Sequence, residues 1–390
     1  MSYDSHVYVC GALEPMELRA LVLAGPGLAV EGGHGTQSVT VVRGRTHRYS
    51  FTIDGPFRVE DEDVPAAVAA VTLGVDHLYT VLVEGSAESE IPHALRFAKR
   101  MAKALDGAAL DMQTGDVWAR AGLRKPARPE RETPVDVVDL SWYALREVLT
   151  PEVPRLFLAA AERHLPEALP RRWGEYEPLP GTWAEGGAEA FETAWRSSTG
   201  RLFTDGSAPC VGGSLYPGPA AIRGQRVWGM SLSFLAEPLT DIRWRDAVRL
   251  LFVAIADDLP AFFASAEVER NWTWSGRGLS ADNKTSSAIW LARRGEPWAG
   301  LPPTPTWWAW FGEPYRDLVA HALPGGRCTH TERGTLYEAA SAPAHADELD
   351  DPVNNYLPTD MFASYVPNTS WVRPLPLARA DTIPAELRGV

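Results

Sequence analysis

Apolar positions along this chain switch repeatedly between a period of two and a period of 3.6, and the switches divide it into strands and helices. Residues 7–10 make a short apolar strand and residues 15–24 a short helix; residues 37–43 and 49–53 alternate around a Gly/Arg turn as a hairpin does. A second short helix is predicted over 63–73 and a strand over 77–83. A stronger helix follows, opened by Pro92 and carrying Leu95, Phe97, Met101, Ala102 and Leu105 mainly on one face. A last strand is predicted over 111–118. This mixture predicts a small α+β domain over residues 1–118, ferredoxin-like in its order.

Residues 119–134 hold three prolines, mixed charges and few bulky apolar groups, the composition of a linker. Beyond them a strand is predicted over 135–143, and a helix from Thr150-Pro151-Glu152 to about His164. Another helix over 188–197 and a strand over 227–235 come next. The clearest periodicity covers 244–264, where Ala247, Leu250, Leu251, Ala254, Ile255 and Leu259 form a stripe until Pro260 breaks it. A helix over 314–322 and a hairpin over 327–340 complete a larger α+β domain, 135–390, with a mostly antiparallel sheet. No short exact repeat is visible, although the segments read as variants of one strand–helix–strand theme.

Composition narrows the function. At 390 residues the chain is long enough for two domains, and its 45% hydrophobic content is that of a globular protein. The apolar run 250–256 is too short to cross a bilayer, and the N-terminus lacks the pattern of a secretory signal. Three scattered cysteines fit a reducing cytoplasm, where the protein is expected. The net charge of −13 argues against direct nucleic-acid binding and suits a basic partner.

Catalytic signatures are weak. The glycine-rich run 31–36 lacks the lysine of a phosphate loop, and Ser214 lacks the spacing of a nucleophile elbow. His321, Cys328, His330 and His345 lie near one another but do not complete a zinc pattern, so neither metal nor cofactor is expected. Asp257 and Asp258 sit on the strongest helix. Arg171, Arg172, Trp173, Glu175 and Tyr176 gather two cations, acids and aromatics in one segment, as an ion-pair cluster or an anion pocket would.

The loudest feature is aromatic. Of 15 tryptophans, Trp272, Trp274, Trp290, Trp298, Trp307, Trp308 and Trp310 fall in one stretch. Each taken singly favours core packing, yet the set exceeds the needs of a small core, which leaves room for exposed anchors. Trp272 and Trp274 alternate and share one strand face.

The run from Trp307 to Val319, Trp-Trp-Ala-Trp-Phe-Gly-Glu-Pro-Tyr-Arg-Asp-Leu-Val, resembles a stretch of Imm52-like bacterial polymorphic-toxin immunity proteins, and the phrase from Leu169 to Pro178 resembles one that recurs in uncharacterised actinobacterial proteins of that style; the resemblance runs from about Val135 onward. The resemblance implies a cytoplasmic, non-enzymatic α+β protein that occludes a cognate toxin or effector. Partner contacts are then expected at Trp272, Trp274, Trp307, Trp308, Trp310, Tyr315, Arg171, Arg172 and Glu175. The alternatives are an enzyme with a dispersed site near Arg171, Glu175, Tyr176 and Asp258, or a scaffold component of an antiphage or secretion system.

Overall fold

In a computed structural model the chain is described over residues 3–31, 38–120, 122–124, 134–216, 226–274, 279–281, 298, 300–302, 305–319, 323, 327–349 and 383–387. It divides into two units, Met1–Arg131 and Glu132–Val390, and the division falls within the proline-rich stretch.

The first unit comprises β1 (Tyr3–Val9), α1 (Pro15–Leu23), β2 (Leu28–Glu31), β3 (Ser38–Arg43), β4 (Arg48–Arg58), α2 (Ala66–Ala69), β5 (His77–Val83), α3 (Ile91–Ala104), β6 (Ala108–Asp111), β7 (Val117–Ala119) and β8 (Gly122–Arg124). Its sheet has the order β2-β3-β4-β5-β1-β6-β7-β8, with every neighbouring pair antiparallel. Leu18 and Val22 of α1 and Phe97, Ala98 and Met101 of α3 share one core with Val7, Val9, Val81 and Ile53. Val68 of α2 packs with Tyr8 and Leu78, which occupy alternate strand positions and so lie on the other face. Strands β4-β5-β1-β6 with α1 and α3 on one face form the ferredoxin-like arrangement, extended at both edges. Two details depart from the sequence reading. The helix predicted over 63–73 is cut to one turn because Pro65 stands at its cap. Strand β8 pairs with β7, so the unit runs past residue 118.

The second unit comprises β9 (Pro134–Leu145), α4 (Val153–His164), β10 (Arg172–Gly174), β11 (Gly181–Thr182), α5 (Trp183–Ser197), β12 (Leu202–Asp205), β13 (Cys210–Leu215), β14 (Val227–Leu235), α6 (Ile242–Asp258), β15 (Phe263–Trp274), β16 (Leu279–Ala281), β17 (Trp308–Gly312), α7 (Tyr315–Val319), β18 (Cys328–His330) and β19 (Gly334–Glu338). The sheet order is β11-β10-β12-β13-β14-β9-β15-β17-β19-β18, again antiparallel, with β16 on β15. Helix α6 begins where the Asp241 side chain accepts the Arg243 N–H at 2.9 Å, and it stops before Pro260. The predicted helix start at Thr150 moves to Val153.

The two units repeat one connectivity. Each opens with the strand that ends up central (β1, β9), follows it with a helix, and places a later helix (α3, α6) between that strand's two neighbours. The central order β4-β5-β1-β6-β7 in one becomes β13-β14-β9-β15-β17 in the other. The recurring strand–helix–strand theme is therefore a whole-domain relationship, visible in strand order although no residue repeat marks it.

In the second unit the register stacks small against large. One cross-strand row reads Met230, Trp142, Ala264, Trp310, Leu336, so that Ala264 makes room between two indoles. On this face the Trp142 indole donates to the Phe252 carbonyl of α6 at 3.0 Å, fixing the helix to the sheet.

Candidate partner-binding surface

Four of the seven clustered tryptophans, with Tyr315, are core. Trp298, Trp307, Trp308, Trp310 and Tyr315 are all at most 1% exposed. Three of the indoles are satisfied internally: Trp298 donates to the Tyr315 hydroxyl at 2.9 Å, Trp307 to the Ala340 carbonyl at 3.0 Å and Trp310 to the Ala261 carbonyl at 3.2 Å. Trp307 and Trp308 stack with centroids 3.9 Å apart. The expectation that Trp307, Trp308, Trp310 and Tyr315 touch a partner is corrected accordingly, because a fully enclosed indole with its N–H paired offers nothing to a second molecule. Trp290 lies outside the described residues.

Arg172 is also internal. It is 3% exposed, and its Nε and Nη2 donate to the Leu179 carbonyl at 3.2 and 2.8 Å, bracing the turn after β10. Glu175 clasps another turn, its Oε1 accepting the Thr199 and Gly200 N–H groups at 2.6 and 2.5 Å. Around this clasp the chain turns outward: Arg171, Glu175, Tyr176 and Glu177 are exposed. Phe203 stands opposite Gly174 across the β10–β12 ladder, and the Tyr176 carbonyl folds back to 3.3 Å from where a Gly174 side chain would begin. Tyr176 is 49% and Phe203 42% exposed, so two aromatic residues near Gly174 meet solvent. Asp258 is elsewhere: exposed at the end of α6, it acts electrostatically on His164.

Phe203 opens a cross-strand row that continues through Ser214, Ser231, Ser141 and Ser265, on the face opposite α6. Beside that row Asp139 and Glu267 are direct cross-strand partners, and Glu269 is two positions further along β15. Ordinary alternation would place Trp272 on the other face from Glu269. A one-residue bulge prevents this: Glu269 pairs with Val137 but Trp272 pairs with Val135, and Asn271 takes up the extra residue at φ +63°. Glu269 and Trp272 thus share a face, and the Trp272 indole donates to Glu269 Oε2 at 2.7 Å. Trp272 and Trp274 remain partly exposed.

Burial and mutual proximity raise these acids. Glu267 is pushed up to about 7, mainly by burial and then by Asp139, against the opposing hydrogen bond from Ser265 at 3.0 Å. Glu269 rises to about 8 through burial and the charges of Asp139 and Glu267. Asp139 is raised by burial although Ser233 donates to it. The result is a carboxylate group that retains protons near neutrality and gains from an approaching cation.

Other candidates settle into structural roles. Ser214 Oγ lies 3.0 Å from Ser231 Oγ, and burial pushes the Cys210 thiol up to about 12, leaving it inert. The His330 ring bonds Thr335, and His345 Nδ1 accepts the Asp347 N–H; no metal-holding cluster occurs among the described residues. His321 and the glycine-rich residues 32–36 lie outside them. No described helix is long and apolar enough to cross a membrane.

Sequence reasoning missed Phe203 and the carboxylates. A signal existed for the latter, since Glu267 and Glu269 alternate along an apolar strand and must share a face. Nothing local marked Asp139 as their neighbour or Phe203 as exposed.

No protein-family model matches the sequence. No curated protein matches it either. Among solved structures, a T6SS protein of Pseudomonas aeruginosa is similar with 13% identity and a TM-score of 0.40, over 67% of this chain and 83% of that one. A likeness of this degree extends no activity to the present chain.

Proposed function

We propose that the chain is a binding protein of the toxin-immunity type, which neutralises a cognate toxin or effector protein by covering it. The observation that supports this reading is the exposed pair Tyr176 and Phe203, set at one edge of the sheet among the exposed acids Glu175 and Glu177. Exposed aromatic rings, here Phe203 on the β10–β12 ladder and Tyr176 in the bend after β10, serve as interface anchors. A net charge of −13 steers such a surface toward a basic partner. In this reading the protein is cytoplasmic and works by occlusion, without a cofactor.

Co-purification of the full chain from its native host tests the proposal. A stoichiometric toxin or effector partner, released by the double variant Tyr176→Ala/Phe203→Ala, is the expected result. Recovery of the chain alone under several growth conditions would count against it.

A further inference from the structure

A cavity of about 590 Å³ opens in the second unit where β9 starts, β14 ends and β15 bulges. Val268 gives it an apolar wall on the face that Asp136 shares, and Pro134, Pro238 and Pro343 add apolar, stiff margins. Its ionised lining is unbalanced: Asp136, Glu237 and Glu348 face a single guanidinium, that of Arg270. That cation is already engaged, donating to Glu348 Oε1 at 2.5 Å and lying 3.7 Å from Asp347. Asp136 and Glu237 are exposed and enter no ion pair among the described residues.

Apolar walls with two unpaired carboxylates at the lining are complementary to a long aliphatic stem ending in a positive charge. We infer that this cavity receives a lysine or arginine side chain from an extended basic segment of a protein partner. The stem packs on Val268, Pro238 and Pro343, and the cation meets Asp136 and Glu237. Arg270, neutralised by Glu348 and Asp347, closes one side without repelling it. The inference rests on the binding function proposed above and adds to it the chemistry of one contact.

The probe is a fluorescein-labelled tetra-arginine peptide, with tetra-glutamate as control, titrated against the full chain by polarisation at several salt concentrations. Saturable tetra-arginine binding is expected, weakened about tenfold or more by Asp136→Asn/Glu237→Gln and left within about twofold by the paired control Asp246→Asn/Glu332→Gln, which removes equal charge outside the cavity. Equal loss in both double variants would overturn the inference, since binding would then follow net charge alone. Absence of tetra-arginine binding would overturn it as well. Neither result touches the partner co-purification and its dependence on Tyr176 and Phe203, so the cavity and the broader binding function fail separately. Circular dichroism on each variant, whose substitutions are isosteric and exposed, verifies that folding is retained.

Discussion

The Trp272 indole donates to the Glu269 carboxylate at 2.7 Å, three residues along a strand whose regular pleat would hold them on opposite faces. The extra residue at Asn271 makes this contact, and its left-handed backbone is one that asparagine and glycine tolerate and branched residues do not. Asn271→Gly should therefore change unfolding stability by less than about 0.5 kcal/mol, whereas Asn271→Val should cost about 1–2 kcal/mol in urea denaturation. Asn271 is exposed, so lost packing does not confuse the comparison. Equal effects of the two substitutions would show that the bulge is not what the backbone angle enforces.

Stability should depend on pH with opposite sign in the two units. Glu267 and Glu269 are held at about 7 and 8, above the usual glutamate value of 4.5. The folded state then binds more protons than the unfolded state between about pH 4.5 and 8, and stability falls as pH rises through that window. Glu267→Gln should remove part of this slope and raise the second unit's stability at pH 8 by roughly 1–3 kcal/mol, with little effect at pH 4.5. In the first unit Glu90 is lowered to about 2 by the Arg43 guanidinium and Ser50, so its contribution is present above about pH 4.5 and is lost as pH falls toward 2. Calorimetry across pH 3–8 distinguishes the two trends.

Trp310 should behave as a core residue. It is fully buried and its indole is bonded to Ala261, so Trp310→Ala should cost about 3–5 kcal/mol. A side chain added at Gly334 would enter the Trp310 ring, and one at Gly312 the Ala261 carbonyl. Gly334→Ala and Gly312→Ala should each destabilise by about 1–3 kcal/mol through overpacking. A thermal scan that left either glycine variant unchanged would mean that the β17–β19 ladder relaxes freely.

Phe203→Ala and Tyr176→Ala should separate binding from folding. Both residues are about half exposed, so each variant should retain its melting temperature within the effect of about 1 kcal/mol. Partner binding should weaken by at least about 2 kcal/mol for one of them, roughly thirtyfold in Kd. Unchanged affinity in both variants would move the interface away from this edge.

Each unit has its own core, so the first unit should fold by itself. A fragment covering Met1–Arg131 is expected to unfold cooperatively with a dispersed amide spectrum. A molten fragment would show that the repeated topology does not amount to two autonomous domains.

Periodicity and local breakers determined much of this protein from the sequence alone. The extent of α6 with its stop before Pro260, the β18–β19 hairpin and the α+β character all follow from interactions within a few residues. The stripe expected on α6 is only half right: Leu251, Ile255 and Leu259 are buried, but Leu250 is exposed, and Val248, Phe252 and Ala256 are buried as well. Two adjacent tryptophans and an alternating pair were visible as well, but their destinations were not. Whether Trp310 lies inside and Phe203 outside is decided by which strands become neighbours, and those pairings join residues far apart in sequence: Trp310 beside Ala264, Asp139 beside Glu267. The shared face of Glu269 and Trp272 depends on one extra residue that no hydrophobic pattern records. Local propensity chose the elements. The surface was chosen by long-range register, because burial is a property of the assembled sheet and not of any single strand.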